Sequence, residues 1–388
     1  MASYHPTQFS NLPNWPGQLT QATMNTFLKS CIKLTHQPHW QDVCKKAKAL
    51  SQEPKAWRAF FETEFTPWQI VTPSTNYGLI TGYYEPLLRG ERLPRKNTPY
   101  SIYGIPKDMW QVLFPNTLHD RSVLVVRPLA NQKMAVIANR IKPDKNEYIL
   151  YPKKFWFDRQ TTILSTRMVG NELIPYYTRS EIHQGYGVKD APVIAWLENW
   201  VDLAYLQIQG SGRIQLEDNH TIRISYAASN GHPFVSIAKW LIKSQKLSTI
   251  QASQTGIKRW LNKHPTEFKK ILTVNPHYVF FKEARIAEEE GPIGALGVPL
   301  SSTLSVAVDE RYIPLGAPVY IATQHTTTNQ LVFAQDKGSA IKGPLRLDWF
   351  LGYGKQAGLK AEKMHQLGSV WLFLPNHVVP SDIGLDAD

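Results

Sequence analysis

The sequence predicts a mainly β protein that also contains helices. Over about the first 65 positions, apolar residues recur at helical spacing. Beyond that point, short apolar runs alternate with turn residues, which is typical of strands joined by turns. The 388 residues correspond to two or three domains, since one domain averages roughly 100–200 residues. With 43% hydrophobic and 19% charged residues, the chain can bury a core and does not belong to the disordered class.

Three helices are expected at the start of the chain. Their apolar positions are Met24, Phe27, Leu28, Cys31 and Leu34 for the first, Trp40, Val43, Cys44, Ala47 and Leu50 for the second, and Trp57, Phe60, Phe61 and Phe65 for the third. Steps of three and four residues place these side chains on one face of each helix. We therefore expect three helices packed on a common core.

A strand pattern follows Pro73. Residues 77–86 alternate Thr, Ile and Tyr, and Pro86 is expected to end this strand because proline cannot donate a ladder hydrogen bond. Residues 89–100 are basic and contain proline, which indicates a surface connection. From there to about residue 190, runs such as 123–126 and 148–151 predict a β-rich domain.

Helices return in the middle of the chain. Pro192 is expected to open a helix that continues to about Leu203 and changes to a strand at 205–208, followed by a Gly-rich turn. Pro233 is expected to head another helix, because proline favours the first helical position. Two short helices are expected at about 257–261 and 265–272, and later strands at 278–281, 305–308, 318–321, 331–334 and 369–374.

The charge balance limits the classes of partner. The 43 basic residues exceed the 31 acidic ones, giving a net charge of +12 that attracts polyanions such as nucleic acid, anionic membrane or anionic cell-wall polymer. No apolar run is long enough to predict a transmembrane helix. The first residues show no charged segment followed by an apolar one, so we expect that an export signal was removed or never existed.

The two cysteines leave the redox question open. Cys31 and Cys44 lie on the apolar faces of neighbouring predicted helices. This placement suits either two buried thiols or one disulfide. Without histidines at ligand spacing, the two cysteines do not form a zinc pattern, and no metal site is expected.

Three aspartates are candidates for chemistry. Asp309 and Asp336 follow predicted strands, and Asp348 stands beside Trp349 and Phe350. Carboxyl groups next to aromatic residues suit reactions on sugars, because burial can raise one pKa until the group acts as a general acid. The alternative is that these aspartates are turn or cap residues, since Asp readily hydrogen-bonds its own backbone in turns.

Five motifs occur along the chain in a fixed order. They occupy residues 81–86, 209–212, 275–282, 308–316 and 336–348. Each is common by itself, but the set and its order resemble the successive motifs of the membrane-bound lytic murein transglycosylase A family. The resemblance covers nearly the whole chain, from the first helices to Trp371.

The resemblance implies a particular domain plan. Residues 1–84 and 284–388 would form a double-psi β-barrel catalytic domain with the N-terminal helices, and residues 85–283 an inserted β-barrel domain, with a groove between the two for a glycan strand. Family members are lipoproteins on the periplasmic face of the outer membrane. The chain is therefore expected to be the soluble part, in contact with a membrane only through a lipid anchor that it lacks.

By the same resemblance, Asp348 matches the catalytic acid. In a lytic reaction the sugar's own C6 hydroxyl is the nucleophile, so one carboxyl can protonate the leaving oxygen and then accept the C6 proton. Shielding by Trp349 and Phe350 is expected to raise the pKa of Asp348 from about 3.9.

The resemblance also implies a set of substrate-binding residues. They are Thr81, Tyr83, Tyr84, Gln209, Gly210, Ser211, Gly212, Asp309, Asp336, Ala340 and Lys342. For several of them a structural role is the alternative: Tyr83 and Tyr84 as core residues of a strand, 209–212 as a β-turn, and Asp309 and Asp336 as supports of turns.

One segment departs from the family pattern. The turn after Asp336 reads Lys337-Gly338-Ser339, where the family has a small or hydroxyl-bearing residue and two glycines, and the spacing to Asp348 is one residue longer than in some members. If Ser339 has a positive φ, the free energy cost is on the order of 1 kcal/mol. The expectation for Asp348 does not depend on this turn.

The sequence therefore predicts a lytic transglycosylase that acts on peptidoglycan glycan strands, without metal or other cofactor, and that can act alongside other cell-wall enzymes. Two alternatives are a conventional hydrolase with two carboxylates and a non-catalytic polysaccharide-binding protein. A nucleic-acid binder ranks last, because the basic residues are spread along the chain and form no known fingerprint.

Overall fold

The computed structural model describes residues 2–51, 53–157, 161–324, 329–338 and 340–385. The chain forms two compact units. The first unit comprises Met1–Leu87 and Ile286–Asp388, and the second comprises Leu88–Arg285. The first unit thus combines segments from both ends of the chain, and the second is one continuous segment.

The described residues form the following elements. The helices are α1 (Gln21–Leu34), α2 (Pro38–Lys48), α3 (Pro54–Glu64), α4 (Arg179–His183), α5 (Trp200–Gln209), α6 (Ile237–Lys243), α7 (Gln254–Lys263), α8 (Phe268–Val274) and α9 (Gly354–Lys363). Short 3-10 helices lie at Phe9–Asn11, Asn116–Leu118, Pro152–Lys154, Pro265–Glu267 and Pro380–Ile383. The strands are β1 (Ser3–Pro6), β2 (Phe65–Val71), β3 (Gly78–Glu85), β4 (Leu87–Arg89), β5 (Tyr100–Tyr103), β6 (Trp110–Leu113), β7 (Leu124–Pro128), β8 (Lys133–Ala138), β9 (Tyr148–Leu150), β10 (Ile163–Val169), β11 (Glu172–Pro175), β12 (Val193–Leu197), β13 (Ser211–Gln215), β14 (Thr221–Ser229), β15 (Val279–Glu283), β16 (Ser305–Ala307), β17 (Pro318–Thr323), β18 (Asn329–Asp336), β19 (Leu347–Tyr353) and β20 (His365–Pro375). The prediction of a mainly β protein with helices is confirmed.

The three predicted N-terminal helices are confirmed. Thr20 caps α1, its hydroxyl oxygen accepting a hydrogen bond from the Thr23 backbone N–H at 3.3 Å, and α2 and α3 each have a proline in the first turn. The third helix ends one residue earlier than expected, because Phe65 already belongs to β2. A disulfide joins Cys31 of α1 to Cys44 of α2, which decides between the two alternatives for these cysteines.

The strands of the first unit close into a ring. Going round the ring, β20 pairs with β17, β17 with β18, β18 with β16, β16 with β19, β19 with β3, and β3 with β20 again. Two of these pairings, β16 with β18 and β19 with β3, are parallel. Strands β2 and β1 extend the sheet from β20. The buried core inside this barrel continues beneath α1, α2 and α3.

The second unit contains its own closed barrel. Strands β6 to β11 form this barrel, and a four-stranded sheet of β4, β13, β14 and β15 and a pair of β5 and β12 complete the unit's β structure. Helices α5, α6, α7 and α8 share a separate apolar cluster that includes Trp200 and Trp260.

Three predictions for the second unit are wrong. The helix expected from Pro192 is a strand as far as Leu197, because β12 pairs with β5. The helix starts at Trp200 instead, where Asn199 accepts a hydrogen bond from the Val201 N–H at 2.8 Å, and it includes 205–208, which were expected as a strand. Pro233 does not head a helix: α6 starts at Ile237, after the cap residue Ser236.

None of the helices in the described part of the chain is both long and apolar enough to cross a membrane.

Candidate active site

The candidate site contains a row of residues that lie side by side on neighbouring strands of the barrel in the first unit. Strand register places Thr81 of β3 beside Asp348 of β19, Asp348 beside Ala307 of β16, and Ala307 beside Asp336 of β18. Side chains of directly paired residues lie on the same face of a sheet. The small side chain of Ala307 leaves room between the two carboxyl groups.

Successive side chains of β19 point alternately into the core and toward the candidate site. Leu347 and Trp349 are buried in the core of the barrel, and the Trp349 indole N–H donates to the Thr303 carbonyl at 2.9 Å. Asp348 and Phe350 therefore lie on the other face of the strand, because successive side chains point to opposite faces. The expectation that Trp349 shields Asp348 is wrong for this reason. Phe350 shares the carboxyl's face and contacts Tyr83, with ring centroids 5.4 Å apart.

Asp348 has one strong hydrogen bond. The Thr81 hydroxyl donates to its Oδ1 at 2.5 Å, and no other described residue hydrogen-bonds the carboxyl. Burial raises the pKa of Asp348 to about 6. The Thr81 hydrogen bond and the positive charge of Arg346 oppose this rise, while the negative charge of Asp336 adds to it. The group can therefore hold a proton in mildly acidic solution and release it close to neutrality.

Asp336 is hydrogen-bonded at both oxygens. The Tyr83 hydroxyl donates to Oδ2 at 2.7 Å, and the Ala295 backbone N–H donates to Oδ1 at 2.9 Å. Burial raises the pKa of Asp336 as well, although these hydrogen bonds and Lys337 act against the rise. Burial and Asp336 together also raise the pKa of the Tyr83 hydroxyl. Tyr83 therefore holds Asp336 at one end of the row.

Asp309 is held in the loop after β16. Its Oδ2 accepts hydrogen bonds from the Arg311 guanidinium at 2.5 Å and from the Gly343 backbone N–H at 2.7 Å, and its Oδ1 accepts from Arg311 Nε at 3.0 Å. The Asp309 side chain is only 1% exposed. It thus ties the loop after β16 to the loop that carries Lys342, which is itself exposed.

The other residues of the implied binding set lie in different surroundings. Tyr84 packs against Gly358 of α9, on the opposite side of β3 from Tyr83. Ala340 is exposed in the loop before β19. Ser339 lies outside the described residues, so the expected conformation of the turn at 337–339 is not described.

Residues 209–212 belong to the second unit and do not form a β-turn. Gln209 is the last residue of α5, and Gly210 ends the helix with a φ of 77°, a left-handed conformation that favours glycine. Ser211 and Gly212 begin β13, where they pair with Ser225 and Ile224 of β14.

Arg346 is a site residue that the sequence analysis missed. Its Nη2 donates to the Thr81 hydroxyl oxygen at 2.8 Å, which places it next to the hydrogen bond of Asp348. The signal was its position two residues before Asp348, immediately ahead of the first residue of β19. Strand β19 itself was not predicted, so this spacing was not used.

The site can carry out acid–base chemistry with a single carboxyl group. The described residues include no group of three or more His, Cys, Asp or Glu side chains placed to hold a metal ion. Asp348 has a raised pKa, a fixed Oδ1 and an Oδ2 without a described partner, which are properties of a proton donor.

Comparisons with known proteins agree with this architecture. The MltA specific insert domain matches residues 79–157 and 142–282, and the 3D domain matches residues 304–374. The membrane-bound lytic murein transglycosylase A of Vibrio cholerae is 31% identical over 205 residues, which make up 50% of this chain and 55% of that protein. The chain thus spans about half the length of the curated relatives it matches.

Solved structures match over a larger share. MltA from Neisseria gonorrhoeae is 35% identical, with a TM-score of 0.81 over 97% of this chain and 92% of that one. Escherichia coli MltA with bound chitohexaose is 22% identical, with a TM-score of 0.63 over 96% of this chain and 94% of that one, and so supports the fold alone.

The first unit is a strand ring with a row of carboxyl residues and is built from both ends of the chain, and the second unit, the continuous segment between those ends, has its own barrel. These features define a class of two-unit β proteins. The matches to the insert domain and to the Neisseria structure identify the member of this class. The chain belongs to the MltA family, whose curated members here are named membrane-bound lytic murein transglycosylase A.

Proposed function

We propose that this chain is a lytic murein transglycosylase. It cleaves the β-1,4 bond between N-acetylmuramic acid and N-acetylglucosamine in peptidoglycan and leaves a 1,6-anhydro end on the muramic acid. Membership of the MltA family supports the reaction class. The curated relatives are named murein transglycosylases, which supports a glycan as the ligand.

The proposed mechanism uses Asp348 twice. Its Oδ2 proton passes to the bridging oxygen while the bond from that oxygen to the anomeric carbon breaks and positive charge develops on the sugar ring. The carboxylate then accepts the proton of the C6 hydroxyl as that oxygen bonds to the anomeric carbon. Because the nucleophile belongs to the same sugar, no water has to be activated and no second carboxylate is required.

One observation carries the choice of Asp348. Both oxygens of Asp336 and both of Asp309 accept hydrogen bonds from the protein, whereas no described residue donates a hydrogen bond to Oδ2 of Asp348. A carboxyl group with a free oxygen can reach a substrate. The groups with two occupied oxygens are better suited to holding loops in place.

We assign supporting roles to the remaining residues. Thr81 positions the catalytic carboxyl, and Tyr83 and Asp336 present a polar and aromatic surface on which a sugar ring can stack. The exposed Lys342 is proposed to contact the glycan, as are Ala340 and Tyr84 in the same unit and residues 209–212 in the second.

We also propose the periplasmic face of the outer membrane as the location, with lipid anchoring and with other cell-wall enzymes as candidate partners. The curated relatives are named as membrane-bound proteins. The disulfide between Cys31 and Cys44 supports an oxidising compartment, because disulfides persist there and are rare in the cytosol.

Asp348→Asn tests the proposal. The variant keeps the shape of the side chain but cannot donate the carboxyl proton, so release of muropeptides from sacculi should fall by about 10² or more. Asp42→Asn, which makes the same change at an exposed position on α2, is the matched control and should keep its activity. Circular dichroism checks the fold of both, and an Asp348→Asn variant with more than about a tenth of the activity would exclude this role for the residue.

The mass of the released product distinguishes the lytic reaction from hydrolysis. An anhydro product is lighter by one water than a hydrolytic product. Product containing the added water, together with a second carboxylate as indispensable as Asp348, would favour a hydrolase with two carboxylates. Binding to sacculi without any release would favour a non-catalytic polysaccharide-binding protein.

A further inference from the structure

We propose that Arg346 is a positioning residue that acts through Thr81 and keeps the transferable proton of Asp348 on Oδ2. This inference rests on the proposed function, since it concerns the carboxyl that performs the reaction. It adds a chain of two hydrogen bonds, from Arg346 to Thr81 and from Thr81 to Asp348.

The first step is the direction of the two hydrogen bonds. Arg346 Nη2 lies 2.8 Å from Thr81 Oγ1, and Thr81 Oγ1 lies 2.5 Å from Asp348 Oδ1. A guanidinium has donors and no acceptor, so the hydroxyl oxygen of Thr81 must accept from Arg346. The single hydroxyl hydrogen of Thr81 is then left to point at Asp348.

The second step concerns the two oxygens of Asp348. Because Thr81 donates to Oδ1, that oxygen acts as an acceptor, and a proton placed on it would compete with the Thr81 hydrogen. The proton is therefore held on Oδ2, the oxygen without a described partner. With the hydroxyl free to rotate, Thr81 could instead accept a proton from Oδ1, and that proton would point away from the substrate.

The third step is that Arg346 also holds the strands that carry the pair. Its Nη1 donates to the Leu347 carbonyl on β19 and, at 3.4 Å, to the Leu79 carbonyl on β3. Thr81 and Asp348 are register partners on these two parallel strands. The same guanidinium thus fixes the spacing of the strands and the orientation of the hydroxyl between them.

Several charged or titratable groups lie around Asp348 and Thr81. Arg346 directly precedes β19, Asp336 belongs to β18 and Tyr83 to β3, and His365 of β20 is the register partner of Thr81 on its other side. Burial raises the pKa of Asp348, and both Thr81 and Arg346 lower it. Loss of either contact should therefore raise this pKa further.

The experiment compares pH profiles of kcat/KM for the wild type, Arg346→Met, Arg346→Lys, Thr81→Val and Thr81→Ser. Since the alkaline limb reports a group that must be protonated, it should move to higher pH by about half a unit or more in Arg346→Met and Thr81→Val. In these two variants kcat should fall about tenfold at the wild-type optimum, with a smaller change in KM. Thr81→Ser keeps the hydroxyl and should leave the limb in place, and Arg346→Lys should show an intermediate shift.

Two further measurements separate this role from a structural one. The double variant Arg346→Met/Thr81→Val should be about as impaired as Thr81→Val alone, because both changes interrupt the same chain of hydrogen bonds. A ¹³C NMR titration of the Asp348 carboxyl, assigned by its loss in Asp348→Asn, should show the same upward shift without any substrate present. Arg58→Met, at an exposed position on α3, is the matched control and should change neither the activity nor the titration of the Asp348 carboxyl.

The outcomes are distinguishable from failure of the proposed function. Suppose that Asp348→Asn is inactive, but the alkaline limb of the Arg346→Met profile and the titration of its Asp348 carboxyl stay at the wild-type pH. The role assigned to Arg346 is then wrong. It is also wrong if the losses of activity in Arg346→Met and Thr81→Val add up in the double variant. If Asp348→Asn remains active, the proposed function itself fails. Thermal unfolding of each variant identifies any that do not fold, and Thr81→Val then tests the same chain of hydrogen bonds from its other end.

Discussion

At the scale of single residues, the donors around a carboxyl group decide what it can do. Asp309, Asp336 and Asp348 are chemically identical, and all three lie in the first unit. Asp309 is held by Arg311 and by a backbone N–H, Asp336 by Tyr83 and a backbone N–H, and Asp348 by one hydroxyl group. The first two arrangements stabilise loops and strand ends, whereas the third leaves an oxygen for chemistry.

The raised pKa of Asp348 predicts a pH-dependent cost to stability. Its pKa is about 6 in the folded state and about 3.9 in an unfolded chain, so between these pH values the folded state keeps a proton that the unfolded state has lost. The free energy of unfolding of the wild type should therefore fall as pH rises through this window. Between pH 4 and pH 7, the free energy of unfolding of Asp348→Asn should rise relative to that of the wild type by on the order of 1–3 kcal/mol.

Denaturant unfolding at the two pH values measures this gain. Asp42→Asn is the control. Lys46 lowers the pKa of Asp42, so replacing the Asp42 carboxyl should give no such gain in the free energy of unfolding. A difference between Asp348→Asn and the wild type that stays constant with pH would contradict the assignment of a raised pKa.

Asp309→Asn and Asp336→Asn should leave measurable activity. Each replacement weakens hydrogen bonds to neighbouring loops, and such support is worth about 0.5–1.5 kcal/mol per bond, or more for charged partners. Turnover should therefore fall less than it does in Asp348→Asn. The temperature of unfolding should fall as well. Turnover assays beside thermal melts check this, and a loss as complete as that of Asp348→Asn in a stably folded variant would show that a second acid is needed.

At the scale of elements, the disulfide fastens two helices of the first unit. Cys31 and Cys44 are thirteen positions apart, and a closed loop of this size contributes about 3 kcal/mol by restricting the unfolded chain. Reduction of the wild type should lower its free energy of unfolding by about that amount. The Cys31→Ala/Cys44→Ala variant should be destabilised to a similar degree and should not respond to reductant. Denaturant curves with and without dithiothreitol test this, and an unchanged wild-type midpoint would count against it.

The sequence predicted elements well where local pattern and tertiary packing agree. Helices α1 to α3 carry apolar residues at helical spacing, and their buried faces are the predicted ones. At 193–197 the pattern misled, because the helical spacing of Trp196 and Trp200 was extended across a segment that pairs with β5. The spacing of apolar residues within one segment cannot reveal a partner strand that lies about 90 residues away in the chain.

The same limit applies to the site. Asp348, Thr81, Tyr83 and Asp336 were all named from motifs, but their arrangement depends on strand pairings between distant segments. Arg346 lies inside the motif at 336–348, but it was missed because the motif does not indicate a contact with Thr81 and β19 was not predicted. Its contact with Thr81 becomes visible only in the folded structure, where the guanidinium donates to the Thr81 hydroxyl oxygen.

At the scale of the whole molecule, the net charge of +12 predicts salt-sensitive association with the cell wall. Attraction between a basic protein and an anionic polymer weakens as salt shortens the Debye length to about 3 Å at 1 M. The fraction of protein that sediments with isolated sacculi should therefore fall between low and high salt. Binding of chitohexaose, which is neutral, is the control and should change little. Equal salt sensitivity for both ligands, or none for sacculi, would contradict a role for the charge.

The ring of strands in the first unit imposes an order on biosynthesis. Strand β3 ends at Glu85, but its two neighbours, β19 and β20, lie in the last fifty or so residues of the chain. While the ribosome is still making the C-terminal segment, the contiguous second unit can already fold, whereas β3 has no pairing partner. The barrel therefore closes only after β19 and β20 have been synthesised, and such long-range pairing is slow. A nascent chain that stops before His365 lacks β20, which pairs with β2, β3 and β17, and so emerges with an open sheet edge exposed to aggregation.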